Sequence, residues 1–223
     1  MMSRPSGVLF DLDGTLCDPR VGLLEGFRVA FAGIGLPYPG DRAASAQIGR
    51  PLLECFQALG CQERSAQGAL LFKEHFERIG RAEAVLYEGV TESLGALKAD
   101  GLDLAIASSK PAFAVRFVVE ALGISGIFDG LYGCADEDLR PDKNRIVAEA
   151  LKGLGWEPRA TVLVGDRSQD RDAAAAHGLV FIAAAWGFGA PEEHLGAAAV
   201  ARHPRELAAL CVRSYGAACV TRN

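Results

Sequence analysis

Short apolar runs that stop at small or acidic residues constrain this chain more than any other feature. They lie at 8–10 (VLF), 102–107 (LDLAIA), 161–164 (TVLV) and 179–184 (LVFIAA), with a weaker candidate at 127–132. Runs this short, without regular polar alternation, read as strands buried on both faces, and such strands belong to a parallel sheet. Helical periodicity fills the intervals. Pro111 opens one helix at the first-turn position, where its missing N–H costs nothing. Val115, Val118, Val119 and Leu122 then form its apolar stripe, and Gly123 closes it. A second helix spans 143–154, with Ile146, Val147, Ala150 and Leu151 on one face, and a third spans 90–99. Strands alternating with helices predict an α/β fold with a doubly wound parallel sheet.

The stretch 18–86 breaks that rhythm. It holds helical patterns at 21–31, 52–59 and 65–79, separated by loops at 33–40 and 60–61, and no convincing strand. The expected organisation is a sheet-and-helix core from residues 1–17 and 87–223, with an all-helical cap of residues 18–86 inserted over the carboxyl edge of the sheet.

Composition limits the function classes. A chain of 223 residues, half of them hydrophobic, is long enough for one full α/β core and a small second lobe. The net charge is −5 and basic runs are missing, which argues against nucleic acid and against a basic membrane-surface helix. The six cysteines form no CxxC pair and have no histidine at zinc spacing, so free thiols are expected. With no signal-peptide pattern and no apolar stretch of membrane-spanning length, the expectation is a soluble cytoplasmic protein, as a monomer or homodimer.

Chemistry gathers where the apolar runs end. The first ends in Asp11-Leu12-Asp13-Gly14-Thr15 and the third in Gly165-Asp166-Arg167-Ser168-Gln169-Asp170. Reactive groups in open α/β sheets sit just past the carboxyl ends of the strands. A carboxylate at Asp11 suits a nucleophile toward phosphorus. Asp13, two residues on, faces the same side in extended backbone and suits a general acid/base. Gly14 permits the tight backbone turn that brings both groups to one centre. Asp11 and Asp166 are oxygen donors of the kind Mg²⁺ prefers. Ser108, Ser109 and Lys110 follow the 102–107 run just before a helix start, which makes a ready anion site. Lys143 opens a helix, where its charge opposes the helix dipole and calls for an anionic partner. Taken singly, most of these residues also fit turn, capping or surface roles.

Four segments in this order resemble the motifs of the haloacid dehalogenase-like superfamily. Asp11-Leu12-Asp13-Gly14-Thr15 is similar to its first motif, Ser108 to its second, Lys143 with the helix after it to its third, and Gly165-Asp166 with Asp170 to its fourth. The segments DGTLCDP, QIGRPLLE, YEGV and WGFG resemble the phosphoglycolate phosphatase-like subgroup with a small helical cap. Two departures stand out. The subgroup's third motif is often Lys-Pro, so Arg140, before Pro141, rivals Lys143. Its second motif often reads Thr-Asn-Lys, where this chain has Ser108-Ser109-Lys110.

The resemblance implies a Rossmann-like core and Mg²⁺-dependent hydrolysis of a small phosphorylated metabolite through an aspartyl-phosphate. Asp11 would be the nucleophile and Asp13 the acid/base. Asp11, the Asp13 carbonyl and Asp166 would hold Mg²⁺, with Asp170 in support, and Ser108, Ser109 and Lys143 would bind phosphoryl oxygens. Arg50, in the Gln47–Pro51 turn between two cap helices, could pair with a carboxylate or second phosphate at the far end of a substrate. The alternatives are a sugar-phosphate mutase of the same fold, or a catalytically idle binding or regulatory module. The four histidines lack metal-ligand spacing, and Trp186 and Phe188 read as packing residues.

Overall fold

The computed structural model describes residues 7–48, 50–78, 84–135, 138 and 141–220. Six parallel strands form one sheet, β1 (Gly7–Phe10), β4 (Asp103–Pro111), β5 (Gly130–Cys134), β6 (Thr161–Gly165), β7 (Val180–Ala184) and β8 (Ala199–Ala201). Their spatial order is β5-β4-β1-β6-β7-β8. The chain winds outward from β1 through β4 to β5, then crosses back to β6 and winds the other way. Strand order therefore reverses between β1 and β6, where an open parallel sheet leaves a crevice at its carboxyl edge. The register places Phe10 beside both Ile106 and Val164, so Asp11 leaves the sheet at the level where β6 also ends.

Side-chain alternation along the strands builds two cores. Val8 and Phe10 point to one face, against Val90 and Leu94 of α5 (Val90–Ala99), Val115 and Val119 of α6 (Ala112–Ala121) and Leu207 of α9 (Leu207–Val220). Leu9 points to the other, against Ile146 and Val147 of α7 (Lys143–Leu154) and Ala173 and Ala174 of α8 (Ser168–His177). Every β1 residue is buried, as expected of a central strand covered on both sides.

The helices α1 (Arg20–Gly33), α2 (Asp41–Ser45), α3 (Leu52–Ala58) and α4 (Ser65–Arg78) form a separate layer. Its core is aromatic. Phe27 lies 4.9 Å from Phe72 between ring centroids, and Phe31 stacks on Phe56 at 5.7 Å. Ala114 of α6 packs into this cluster and joins the layer to the sheet.

Three local expectations need correction. The stretch expected to be strand-free holds Asp18 and all of β3 in a two-stranded antiparallel ribbon, β2 (Cys17–Asp18) with β3 (Val85–Leu86). Two residues per strand leave no periodicity to read. The β4 strand runs past its apolar run, through Ser108, Ser109 and Lys110 to Pro111. Its pairing with β5 breaks after Ala107 and resumes at Pro111 opposite Cys134, so those three residues sit on an irregular strand end, not in a loop. Pro111 precedes α6 in extended backbone and is not its first helical residue.

Candidate active site

Asp11 is fixed by its place in the sheet. Its N–H donates to the carbonyl of Val164 on β6 at 2.9 Å, which continues the β1–β6 ladder by one residue. Its carboxylate is buried and accepts from Lys143 Nζ at 2.6 Å. The same ammonium lies 2.7 Å from Oδ1 of Asp170. That second contact is a buried charged pair, and the ammonium favours the ionised form of Asp170. Burial pulls Lys143 down, yet Asp11 and Asp170 outweigh it and hold the ammonium above its ordinary range.

Asp166 follows β6 and is fully buried. Its Oδ2 accepts from the Phe188 N–H at 2.7 Å and its Oδ1 from the Thr15 hydroxyl at 3.4 Å. Burial, then the charges of Asp11 and Asp170, push its carboxyl up to about 8. Burial and Asp11 likewise raise Asp170 to about 6, although Lys143 opposes them. Asp170 also accepts from the Arg167 N–H at 3.1 Å, so it caps α8 and joins the acidic group at once.

Oxygens of Asp11, Asp166 and Asp170 all lie within 4.8 Å of one another. Lys143 pairs with two of the three buried carboxylates, Asp11 and Asp170, and the direct hydrogen-bond donors to Asp166 are neutral. An all-oxygen set with surplus negative charge fits a hard divalent cation. Asp170 is thus a full member of the acidic cluster, where sequence reasoning gave it a supporting part. Asp13 contributes no carboxylate to that cluster.

The sign of the Asp166 shift yields a prediction. Its folded value of about 8 exceeds the ordinary 3.8, so the native state binds this proton more tightly than the unfolded chain. The stabilisation is fully present below about pH 3.8 and is lost as the pH rises through about 8. Asp166→Asn keeps the acceptor for Phe188 and removes the titration. In EDTA, the melting-temperature advantage of Asp166→Asn over wild type should widen across that interval, and a constant difference contradicts the assignment. A divalent cation held by these carboxylates would favour the ionised wild-type group, so added Mg²⁺ is expected to narrow the gap at alkaline pH.

Asp13 faces away from this cluster. Its Oδ2 accepts from Lys110 Nζ at 2.5 Å. Ser108 is 2 % exposed, and its Oγ accepts from the Lys110 N–H at 3.3 Å. Asp11, Asp13, Ser108, Ser109, Lys110 and Lys143 all line one cleft of about 140 Å³ between the sheet edge and the helical layer. Arg50 also borders it, as an exposed side chain on the helical side. The rival Arg140 lies outside the described residues.

Some site contacts escaped sequence reasoning. The turn Gly187-Phe188-Gly189 closes over Asp166, so a Cβ at Gly187 would come within 2.5 Å of its Oδ2 and one at Gly189 within 1.7 Å of its carbonyl oxygen. Trp186 and Phe188 therefore do more than pack, since Trp186 Nε1 donates to the Thr15 carbonyl at 3.0 Å and ties this turn to the Asp11–Thr15 loop. Gly14 has φ +88°, and a Cβ there would lie 2.5 Å from Oδ2 of Asp166. Arg167 is buried, lines the cleft and donates to the Phe188 carbonyl at 2.9 Å. A second glycine two residues after Gly187 was the readable signal for the turn. Nothing local marked Arg167.

Comparison with known proteins bears on this geometry. Residues 8–184 match the haloacid dehalogenase-like hydrolase family. The chain belongs to that family. It is 35 % identical over 185 residues to the tyrosine-protein kinase PtkA of Mycobacterium tuberculosis, a match covering 83 % of this chain and 64 % of that protein. The chain thus spans less than two thirds of that relative's length. It is 33 % identical to a 5′-nucleotidase of Pseudomonas aeruginosa, covering 85 % of this chain and 87 % of the relative. It is 30 % identical to the phosphoglycolate phosphatase of Escherichia coli, covering 82 % of each. Among solved structures, a haloacid dehalogenase-like family hydrolase of Streptococcus pneumoniae superposes with a TM-score of 0.86 at 27 % identity, over 94 % of this chain and 99 % of that one. In this family member the carboxyl ends of β1 and β6 converge on one buried acidic cluster. Among the described residues, no helix is long and apolar enough to cross a membrane.

Proposed function

We propose that the chain is a phosphatase that hydrolyses a small phosphate monoester through an aspartyl-phosphate. One observation carries the reading: Lys143 bridges aspartates that follow two different strands, at the floor of a cleft roofed by the helical layer. The phosphatase and nucleotidase names among its relatives agree with it.

In the proposed chemistry, Asp11 attacks phosphorus. The bond from phosphorus to the ester oxygen breaks as Asp13 gives its proton to that oxygen, and the alcohol leaves. Asp13 then takes a proton from water, whose oxygen attacks phosphorus as the bond from phosphorus to the Asp11 carboxylate oxygen breaks. Inorganic phosphate is released and both aspartates are restored. Lys143 holds Asp11 in one orientation and, with Ser108 and Ser109, meets the phosphoryl oxygens. Asp11, Asp166 and the Asp13 carbonyl would hold Mg²⁺, with Asp170 beside them, and the ion supplies charge neutralisation for the transferring group.

The test is hydrolysis of glycolate, sugar, nucleotide and aryl phosphates with Mg²⁺ and with EDTA. Phosphate release that requires Mg²⁺ and falls when Ca²⁺ replaces it is the expected result, because looser calcium coordination misplaces the reacting groups. Activity undiminished in EDTA, or none on any ester, overturns the proposal. The same panel tests Arg50. If it pairs with an anionic tail, Arg50→Ala raises KM for an ester carrying a carboxylate and leaves phenyl phosphate nearly unchanged. Equal effects on the two esters remove Arg50 from the substrate site.

A further inference from the structure

Two buried lysines divide the two aspartates of the Asp11–Thr15 loop. Lys143 takes Asp11, and Lys110 takes Asp13 at 2.5 Å. Lys110 is 8 % exposed, and a buried ammonium needs partners. Its second partner comes from the other layer. The Phe76 ring of α4 lies 4.8 Å from Nζ to its centroid. A cation over an aromatic face at that distance is attracted by the ring. One ammonium therefore touches an aspartate of the sheet layer and an aromatic ring of the helical layer.

The Lys110 backbone is fixed as well. It lies on the irregular end of β4, where pairing with β5 lapses before Pro111. Gly133 of β5 packs against it so closely that a Cβ there would meet the Lys110 carbonyl oxygen at 2.5 Å. Its N–H is engaged by Ser108 Oγ. The side chain thus leaves a backbone held by Ser108 and packed by Gly133, and its tip is placed by groups from two layers.

We propose that Lys110 is a positioning residue: it sets the Asp13 carboxyl toward the leaving-group oxygen when the helical layer, through Phe76, is seated on the sheet. This rests on the phosphatase reading and on the acid role given there to Asp13. Its consequence is selective. Esters whose alcohol is a poor leaving group need the Asp13 proton as the bond breaks, whereas 4-nitrophenolate leaves without one. A lysine serving only to bind the phosphoryl group, or only to hold the fold, would affect both kinds of ester alike.

The experiment compares kcat/KM, which covers the steps through alcohol release, for an alkyl phosphate and for 4-nitrophenyl phosphate. Lys110→Met is expected to lower the alkyl value ~100-fold and the aryl value by less than about 5-fold, in line with loss of general-acid catalysis. Lys110→Arg, which keeps a cation, should recover part of the alkyl activity. Phe76→Leu, which leaves Lys110 in place, should lower only the alkyl value, by about 2–5-fold. In an Asp13→Asn background, Lys110→Met should not change the alkyl-to-aryl ratio further. Equal losses on both esters, no loss on either, or a further change of the ratio in the Asp13→Asn background overturns the inference and leaves the phosphatase reading standing. Wild-type protein that turns over neither ester overturns both.

Discussion

With Asp11 proposed as the nucleophile, Asp11→Asn protein is expected to fold normally and to lose turnover by at least ~10⁴-fold, because only residual binding and electrostatic catalysis would remain. Asparagine is nearly the same shape and can still accept from Lys143, but its amide does not attack phosphorus. The fold should survive because Lys143 keeps Asp170 as a charged partner at 2.7 Å. Removing the Asp11 charge also relieves crowding, because that charge is among the causes that raise Asp166 and Asp170. The melting temperature should therefore hold steady or rise while phosphate release disappears. Substantial residual activity in purified Asp11→Asn protein would remove Asp11 as nucleophile.

Lys143→Ala is expected to damage both activity and stability. The variant leaves Asp11 and Asp170 buried without the ammonium they share, beside the buried Asp166. Breaking a buried ion pair from one side costs ~3–5 kcal/mol. Turnover should fall by ~10²–10³-fold, the loss seen when one preorganised charge-stabilising group is removed. High Mg²⁺ should restore part of the stability by supplying positive charge to the same carboxylates, and little of the turnover. Arg140→Ala should be mild on both counts. Denaturant melts with and without Mg²⁺, run beside kinetics, check all of these outcomes. A severe Arg140 variant beside a mild Lys143 variant would transfer the phosphate-binding role to Arg140.

Much of this molecule was legible in its sequence because buried parallel strands leave a strong trace. The apolar run at 161–164 became β6 (Thr161–Gly165), and the helical stripes at 90–99 and 143–154 became α5 and α7 with the same bounds. The unread elements carry weak local signals. Helix α2 is five residues long, too short to show a period. Strand β4 continues through two serines and a lysine that no apolar pattern marks. The candidate site divides in the same way. Asp11 and Asp166 were readable because each ends an apolar run, and the structure places their carboxylates together. The pairing of Lys110 with Asp13 spans 97 positions along the chain. The Trp186 bond to Thr15 spans 171. Such contacts arise from topology, and a single sequence records the residues without recording who meets whom.

The short β2–β3 ribbon has a consequence for how this architecture can vary. The chain departs toward the helical layer at Asp18 and comes back at Val85, and those two residues are direct antiparallel partners. Departure and return therefore share one doorway. The six-stranded sheet keeps its registers through pairings that involve neither ribbon strand. Whatever is spliced between Asp18 and Val85 has to match a gap no wider than a hairpin, and nothing in the sheet's pairing dictates how many helices it contains. Lengthening, trimming or exchanging that insert changes the roof over the cleft while the carboxylates at its floor keep their scaffold.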